Sequence, residues 1–217
     1  FLQIPLHAIG YAGNKDKQAV TSQYLSVFHV PRKKVERFSL SDVTLTYQGS
    51  GEKRITLGML DGNAFDIVVR DLDERKPLSI TKIKNFFDDQ RFGVDKHNVP
   101  VGKALIQGRF QDACDLLALP YDGKDYLKAL RKAPKRLLRL YLSSYQSYLW
   151  NVVAEQVDDA ETVPLVGFLT ELTGHAGLLY KSLLKKEDIT QENFLMKPMP
   201  ELSQEGSERP LYADVKH

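Results

Sequence analysis

The chain has 217 residues, 42% hydrophobic and 27% charged, with a net charge of +2 and five histidines. That is ordinary globular composition, with enough material for one large domain or two small ones, and it excludes a disordered or low-complexity chain. The single cysteine, Cys114, excludes an intrachain disulfide and fits a reducing, cytoplasmic compartment; with scattered histidines it leaves no metal site to draw.

No apolar run approaches the roughly 18 residues that would cross a bilayer. The chain opens on Phe1, inside what reads as the end of a helix, so a segment upstream is expected. A glycine turn follows at Gly13, and the polar loop Asn14-Lys15-Asp16-Lys17 presents one carboxylate before a strand expected near Thr21. Taken alone, an aspartate between two lysines is a solvated turn. Tyr24 to Val30 is β-prone, and Pro31 can start a short helix through Glu36. Val43 to Tyr47 alternates as a strand would and ends in the Gly49-Ser50-Gly51 turn. Ala64 to Arg70 is rich in β-branched residues and is expected as another strand. In such a strand Asn63 and Phe65, two apart, leave the same face.

From about Ser79 the pattern turns helical, with Ile80, Ile83, Phe86 and Phe87 at helical spacing. Short helices are expected at Val101–Gln107 and Phe110–Leu117, the second burying Cys114 as a structural thiol. The longest helix starts at Pro134 and runs toward Val157, with an apolar stripe of Leu138, Tyr141, Tyr145, Tyr148, Leu149 and Val152. Gln146 and Trp150 lie four apart on another face and, with Arg136 and Arg139, read as part of an RNA groove. The tail returns to strand at Pro210–Val215. Basic residues gather at Arg32-Lys33-Lys34 and again between Lys128 and Arg139, while acidic residues concentrate later.

Five blocks occur in a telling order. They are Ala12-Gly13-Asn14-Lys15-Asp16-Lys17 with Ala19-Val20-Thr21-Ser22-Gln23, Leu60 to Phe65, Asn85 to Gly93, Tyr145 to Asn151, and Glu205 to Leu211. Together they resemble the TruD family of tRNA pseudouridine synthases. The resemblance implies an α+β fold, a pseudouridine-synthase catalytic domain interrupted by a mostly helical insertion. The boundaries expected are 1–90 for the catalytic part, 91–197 for the insertion and 198–217 for the return segment, with the N-terminal part of the catalytic domain lying outside this chain.

The same resemblance implies isomerisation of uridine, usually at position 13 of tRNA, without a cofactor or metal. Asp16 is then the catalytic aspartate, Phe65 stacks on the target base, and Asn63 hydrogen-bonds near Asp16 or the ribose. The family's basic partner for the aspartate comes from near the N-terminus, outside this chain. Lys15 and Lys17 are assigned to RNA phosphates, since in an extended backbone they project away from Asp16. Arg91 is read first as a joint between domains and second as an RNA contact. A tRNA partner and a monomer are expected. The alternatives are an RNA-binding module without activity and, last, a carboxylate-dependent glycosidase, which normally calls for a second placed acid.

Overall fold

In the computed structural model, residues 4–16, 18–66, 68, 70–71 and 80–215 are described. The chain divides into two units, Phe1–Arg75 and Lys76–His217. Helices and small antiparallel sheets alternate along it, an α+β fold.

In the first unit β1 (Ile9–Tyr11) pairs antiparallel with β2 (Leu25–Val27), placing Gly10 opposite Ser26. A third segment crosses this ribbon. The Ile55 amide donates to Ser26 Oγ at 2.9 Å, and Arg54 donates to the Ile9 carbonyl at 2.9 Å. Gly10 is the one buried residue among those described here, because a Cβ would strike the Ile55 carbonyl and Ser26 Oγ. Only glycine lets the three segments approach so closely. The helix expected after Pro31 forms as α1 (Arg32–Glu36).

Two expected strands are absent among the described residues. Val43 makes only an isolated bridge with Leu40, and Ala64–Asp66, Val68 and Arg70 belong to no strand. A β-prone sequence becomes a strand only where another backbone runs alongside it, and among the described residues these segments meet no more than that single bridge.

The second unit holds the hydrophobic core, whose buried residues run from Phe92 to Leu211. The segment expected as a helix from Ile80 is instead β3 (Lys82–Lys84), paired antiparallel with β6 (Tyr212–Asp214), Ile83 opposite Ala213. The apolar spacing of Ile80, Ile83 and Phe86 fits a helix. The backbone partner that overrides it lies 130 residues away in sequence.

A one-turn helix α2 (Asp89–Phe92) follows, and Gly93 ends it with a positive φ of 79°. Then come α3 (Asn98–Ile106), α4 (Phe110–Leu116), α5 (Tyr126–Lys132) and the 20-residue α6 (Lys135–Ala154). Pro134 caps α6, where its fixed φ and missing N–H cost nothing. Leu138, Tyr141, Tyr145 and Leu149 of the expected stripe are buried on α6, and Tyr148 is half-buried. Cys114 is buried on α4, and burial pushes its thiol pKa up, as expected of a structural cysteine.

The chain continues through β4 (Thr162–Leu165), α7 (Gly174–Lys186), β5 (Ser207–Pro210) and β6, with β4 and β5 antiparallel. None of the helices is long and apolar enough to cross a membrane among the described residues.

The closest helix packing is α3 against α6. At Gly102 a Cβ would collide with the Tyr141 carbonyl and come within 2.8 Å of Tyr145 Cβ. Replacing Gly102 by alanine gains about 1 kcal/mol of helix propensity but forces apart two backbones, an overpacking cost of about 1–3 kcal/mol. Gly102→Ala is therefore expected to lower the urea midpoint measured by circular dichroism; a raised midpoint would contradict the close approach.

Candidate active site

The loop that presents Asp16 runs between β1 and β2, outside any strand. Two contacts tie it to the segment carrying Asn63 and Phe65. The Gly58 amide donates to the Ala12 carbonyl at 2.8 Å, and the Lys15 ammonium donates to Asn63 Oδ1 at 2.8 Å. Gly58 sits at a φ of +90°, the conformation that turns the chain back toward this loop. The first two sequence blocks, about 50 residues apart, are thereby brought together.

Asp16, Lys15 and Asn63 are exposed, and Phe65 is 74% exposed, so the carboxylate and the aromatic ring are each accessible. The Lys15 ammonium commits one of its three donors to Asn63. Lys17 lies outside the described residues.

The other blocks meet inside the second unit and build scaffold. Asn151 on α6 clasps the Phe87 backbone: its Oδ1 accepts from the Phe87 amide at 3.0 Å and its Nδ2 donates to the Phe87 carbonyl at 2.8 Å. Arg209 on β5 donates from Nε and Nη2 to the Asn85 carbonyl, and from Nη2 to Asn85 Oδ1 at 2.8 Å. Its guanidinium lies 3.9 Å from the Phe87 ring centroid and 5.3 Å from that of Trp150. Burial, with the charge of Arg91 nearby, lowers the pKa of Arg209. Asn85 in turn donates its amide to the Leu211 carbonyl at 2.8 Å.

Arg91 plays its part chiefly through its backbone. Its carbonyl accepts from Ser144 Oγ at 2.7 Å and Asn98 Nδ2 at 3.2 Å, joining α2 to α6 and α3. The guanidinium lies 5.3 Å from the Phe87 ring, with no carboxylate at ion-pair distance among the described residues.

Gln146 and Trp150 do not line the groove expected along α6. Trp150 is fully buried and donates Nε1–H to the Val163 carbonyl at 2.9 Å. Gln146, 7% exposed, donates to the Val166 carbonyl at 2.8 Å. Both side chains satisfy carbonyls in and just after β4 instead of facing solvent, so neither can stack on or bond to RNA. Arg136 and Arg139 are exposed, Arg139 with one hydrogen bond to the Glu201 carbonyl. The basic cluster is partly engaged: Arg131 donates to the Pro198 carbonyl, and Lys135 lies 3.3 Å from Glu201.

Sequence reasoning missed the linking role of Lys15 and the clasp of Asn151. The one signal for the latter was a polar residue beside the apolar stripe of a long helix.

Comparison with known proteins agrees with the blocks. The family model for tRNA pseudouridine synthase D, TruD, matches residues 1–121 and 116–161. The chain belongs to the TruD family. The members of that family are tRNA pseudouridine synthases, enzymes of the isomerase class.

The two matched segments overlap at 116–121, from the last residue of α4 into the connection to α5. The chain is 27% identical to the tRNA pseudouridine synthase D of Syntrophotalea carbinolica, over 97% of this chain and 75% of that one. It is 31% identical to a Pyrococcus abyssi relative named for the same enzyme, over 66% of this chain and 48% of the other. A solved TruD structure from Methanosarcina mazei shares the fold with a TM-score of 0.75 at 23% identity, covering 97% of this chain and 72% of that one.

The Asn151 clasp allows a direct check. Asn151→Leu leaves the Phe87 amide and carbonyl without partners, a cost of about 1–3 kcal/mol for each group that stays dry. Stability in urea is expected to fall by about 2–6 kcal/mol on that basis; a loss below about 0.5 kcal/mol, the size of an ordinary surface change, would show that the clasp is dispensable.

Proposed function

We propose that the chain isomerises uridine to pseudouridine in tRNA, at position 13, with Asp16 as the nucleophile and no cofactor. The observation that carries this reading is the pair of contacts, Ala12 with Gly58 and Lys15 with Asn63, that gathers the Asp16 loop and the Asn63–Phe65 segment.

The reaction breaks the C1′–N1 bond and makes a C1′–C5 bond; the C5 proton leaves and N1 gains one. It is redox-neutral and needs no energy source. What it requires is a carboxylate, a surface to hold a detached uracil, and exclusion of water. An ionised Asp16 supplies the first, by adding to C6, by attacking C1′, or by assisting loss of the 2′ proton to a glycal.

Phe65 supplies the second. Its exposed ring offers a stacking face for a base flipped out of the tRNA, at an unstacking cost of a few kcal/mol. Asn63 donates to an oxygen of the bound nucleotide. Phosphate contacts fall to Lys17, Arg91, Arg136 and Arg139, with Lys15 engaged at Asn63. In this reading 1–90 and 198–217 form the catalytic domain around an insertion at 91–197. The antiparallel pairing of β3 with β6 supports that return of the chain. Action as a monomer in the cytoplasm completes the proposal.

The test is pseudouridine mapped to the nucleotide in an unmodified tRNA transcript. Conversion at position 13 is expected, with Asp16→Asn losing it entirely and Phe65→Ala slowing it while the fold stays intact. Tight tRNA binding without conversion would replace the enzyme reading by that of an RNA-binding module.

A further inference from the structure

We infer that Lys15 is a positioning residue for Asn63, setting which end of its amide faces the bound nucleotide. The inference rests on the reading of Asp16 and Asn63 proposed above, and it gives Lys15 a role other than a phosphate contact.

An asparagine side chain has two orientations, presenting either its carbonyl oxygen or its NH2 to a given direction. Exposed and untethered, Asn63 would sample both. A lysine ammonium carries three donors and no acceptor, so the atom it touches at 2.8 Å must be the oxygen. That contact removes the ambiguity. With Oδ1 held by Lys15, the NH2 is the end left to donate.

Uracil offers two carbonyl oxygens and the ribose its hydroxyls, and the neighbouring Asp16 is anionic when it acts. A carbonyl presented there would meet like partial charge; an NH2 meets acceptors. The Lys15 charge therefore does its work one residue from the nucleophile without contacting the reacting atoms. The same link ties the Asp16 loop to the segment that carries Phe65, so losing it lets the carboxylate and the stacking face shift apart.

A phosphate contact and a positioning role leave different signatures. Removing a phosphate contact weakens binding and lowers the salt dependence of log K by about 0.7–0.9 of an ion. Removing a positioning residue slows the chemistry at saturation, by about ten- to hundredfold for a misplacement on the order of 1 Å.

The experiment compares the full chain with Lys15→Met, Lys15→Arg, Asn63→Ala and the Lys15→Met/Asn63→Ala double variant. Single-turnover conversion of unmodified tRNA at saturating enzyme is followed beside tRNA affinity over a range of salt. Lys15→Met is expected to slow conversion with affinity and salt slope unchanged, and Lys15→Arg to keep most of the rate. The double variant is expected to be no slower than Asn63→Ala alone. Losses that multiply in the double variant, or a weakened affinity with normal rate at saturation, would overturn the inference.

A readout without turnover separates this claim from the isomerase reading. The side-chain amide resonances of Asn63, assigned by their loss in Asn63→Ala, are expected to shift in Lys15→Met. Unmoved resonances refute the positioning role whether or not the chain makes pseudouridine. Shifted resonances in a chain that makes none refute the isomerase reading and leave the link between Lys15 and Asn63 standing.

Discussion

The second unit depends on how α6 grips the chain that precedes it. Asn151 gives both halves of its amide to the Phe87 backbone, where no regular secondary structure supplies partners. Arg209 then holds Asn85 from the other side while its guanidinium covers Phe87. One turn further on, the Lys84 ammonium bonds the carbonyls of Ala154 and Glu155 and pairs with Asp158, closing the C-terminal end of α6. That interaction keeps the Asp158 carboxyl below its usual range. Segments 84–87, 151–158 and 209–212 are thus fixed in one place by polar bonds, and the apolar packing fills in around them.

This arrangement changes what the family blocks mean. Asn85 to Gly93, Tyr145 to Asn151 and Glu205 to Leu211 meet because their polar residues bond one another's backbones and the strand β4. The blocks that gather open, accessible chemistry are the two in the first unit.

How much was legible follows from the range of the forces involved. α6 was readable from Pro134 and its stripe, and α1, α3 and α4 from local pattern, because a helix satisfies its own backbone within four residues. Cys114 was placed correctly for the same reason. The segment at Ile80–Phe87 was misread because its spacing suits a helix and its actual partner, Tyr212–Asp214, lies at the other end of the chain. Trp150 and Gln146 were misplaced because a helical wheel shows which residues share a face, not that a strand will arrive to bury a second one. Of the candidate site, Asp16, Asn63 and Phe65 stood out only through the resemblance. The bond between Lys15 and Asn63 has no sequence signature, since it joins two loops through side chains 48 residues apart.

The burial of Trp150 has a spectroscopic consequence. It is the chain's one tryptophan, and it sits fully enclosed against Phe87, Val163 and Arg209 in the helical unit. Its emission is therefore set by an environment remote in sequence from the Asp16 loop. An unfolding curve recorded by tryptophan fluorescence therefore reports the loss of the α6 core. A separate optical label placed among the segments that carry Asp16, Asn63 and Phe65 would report on those segments directly.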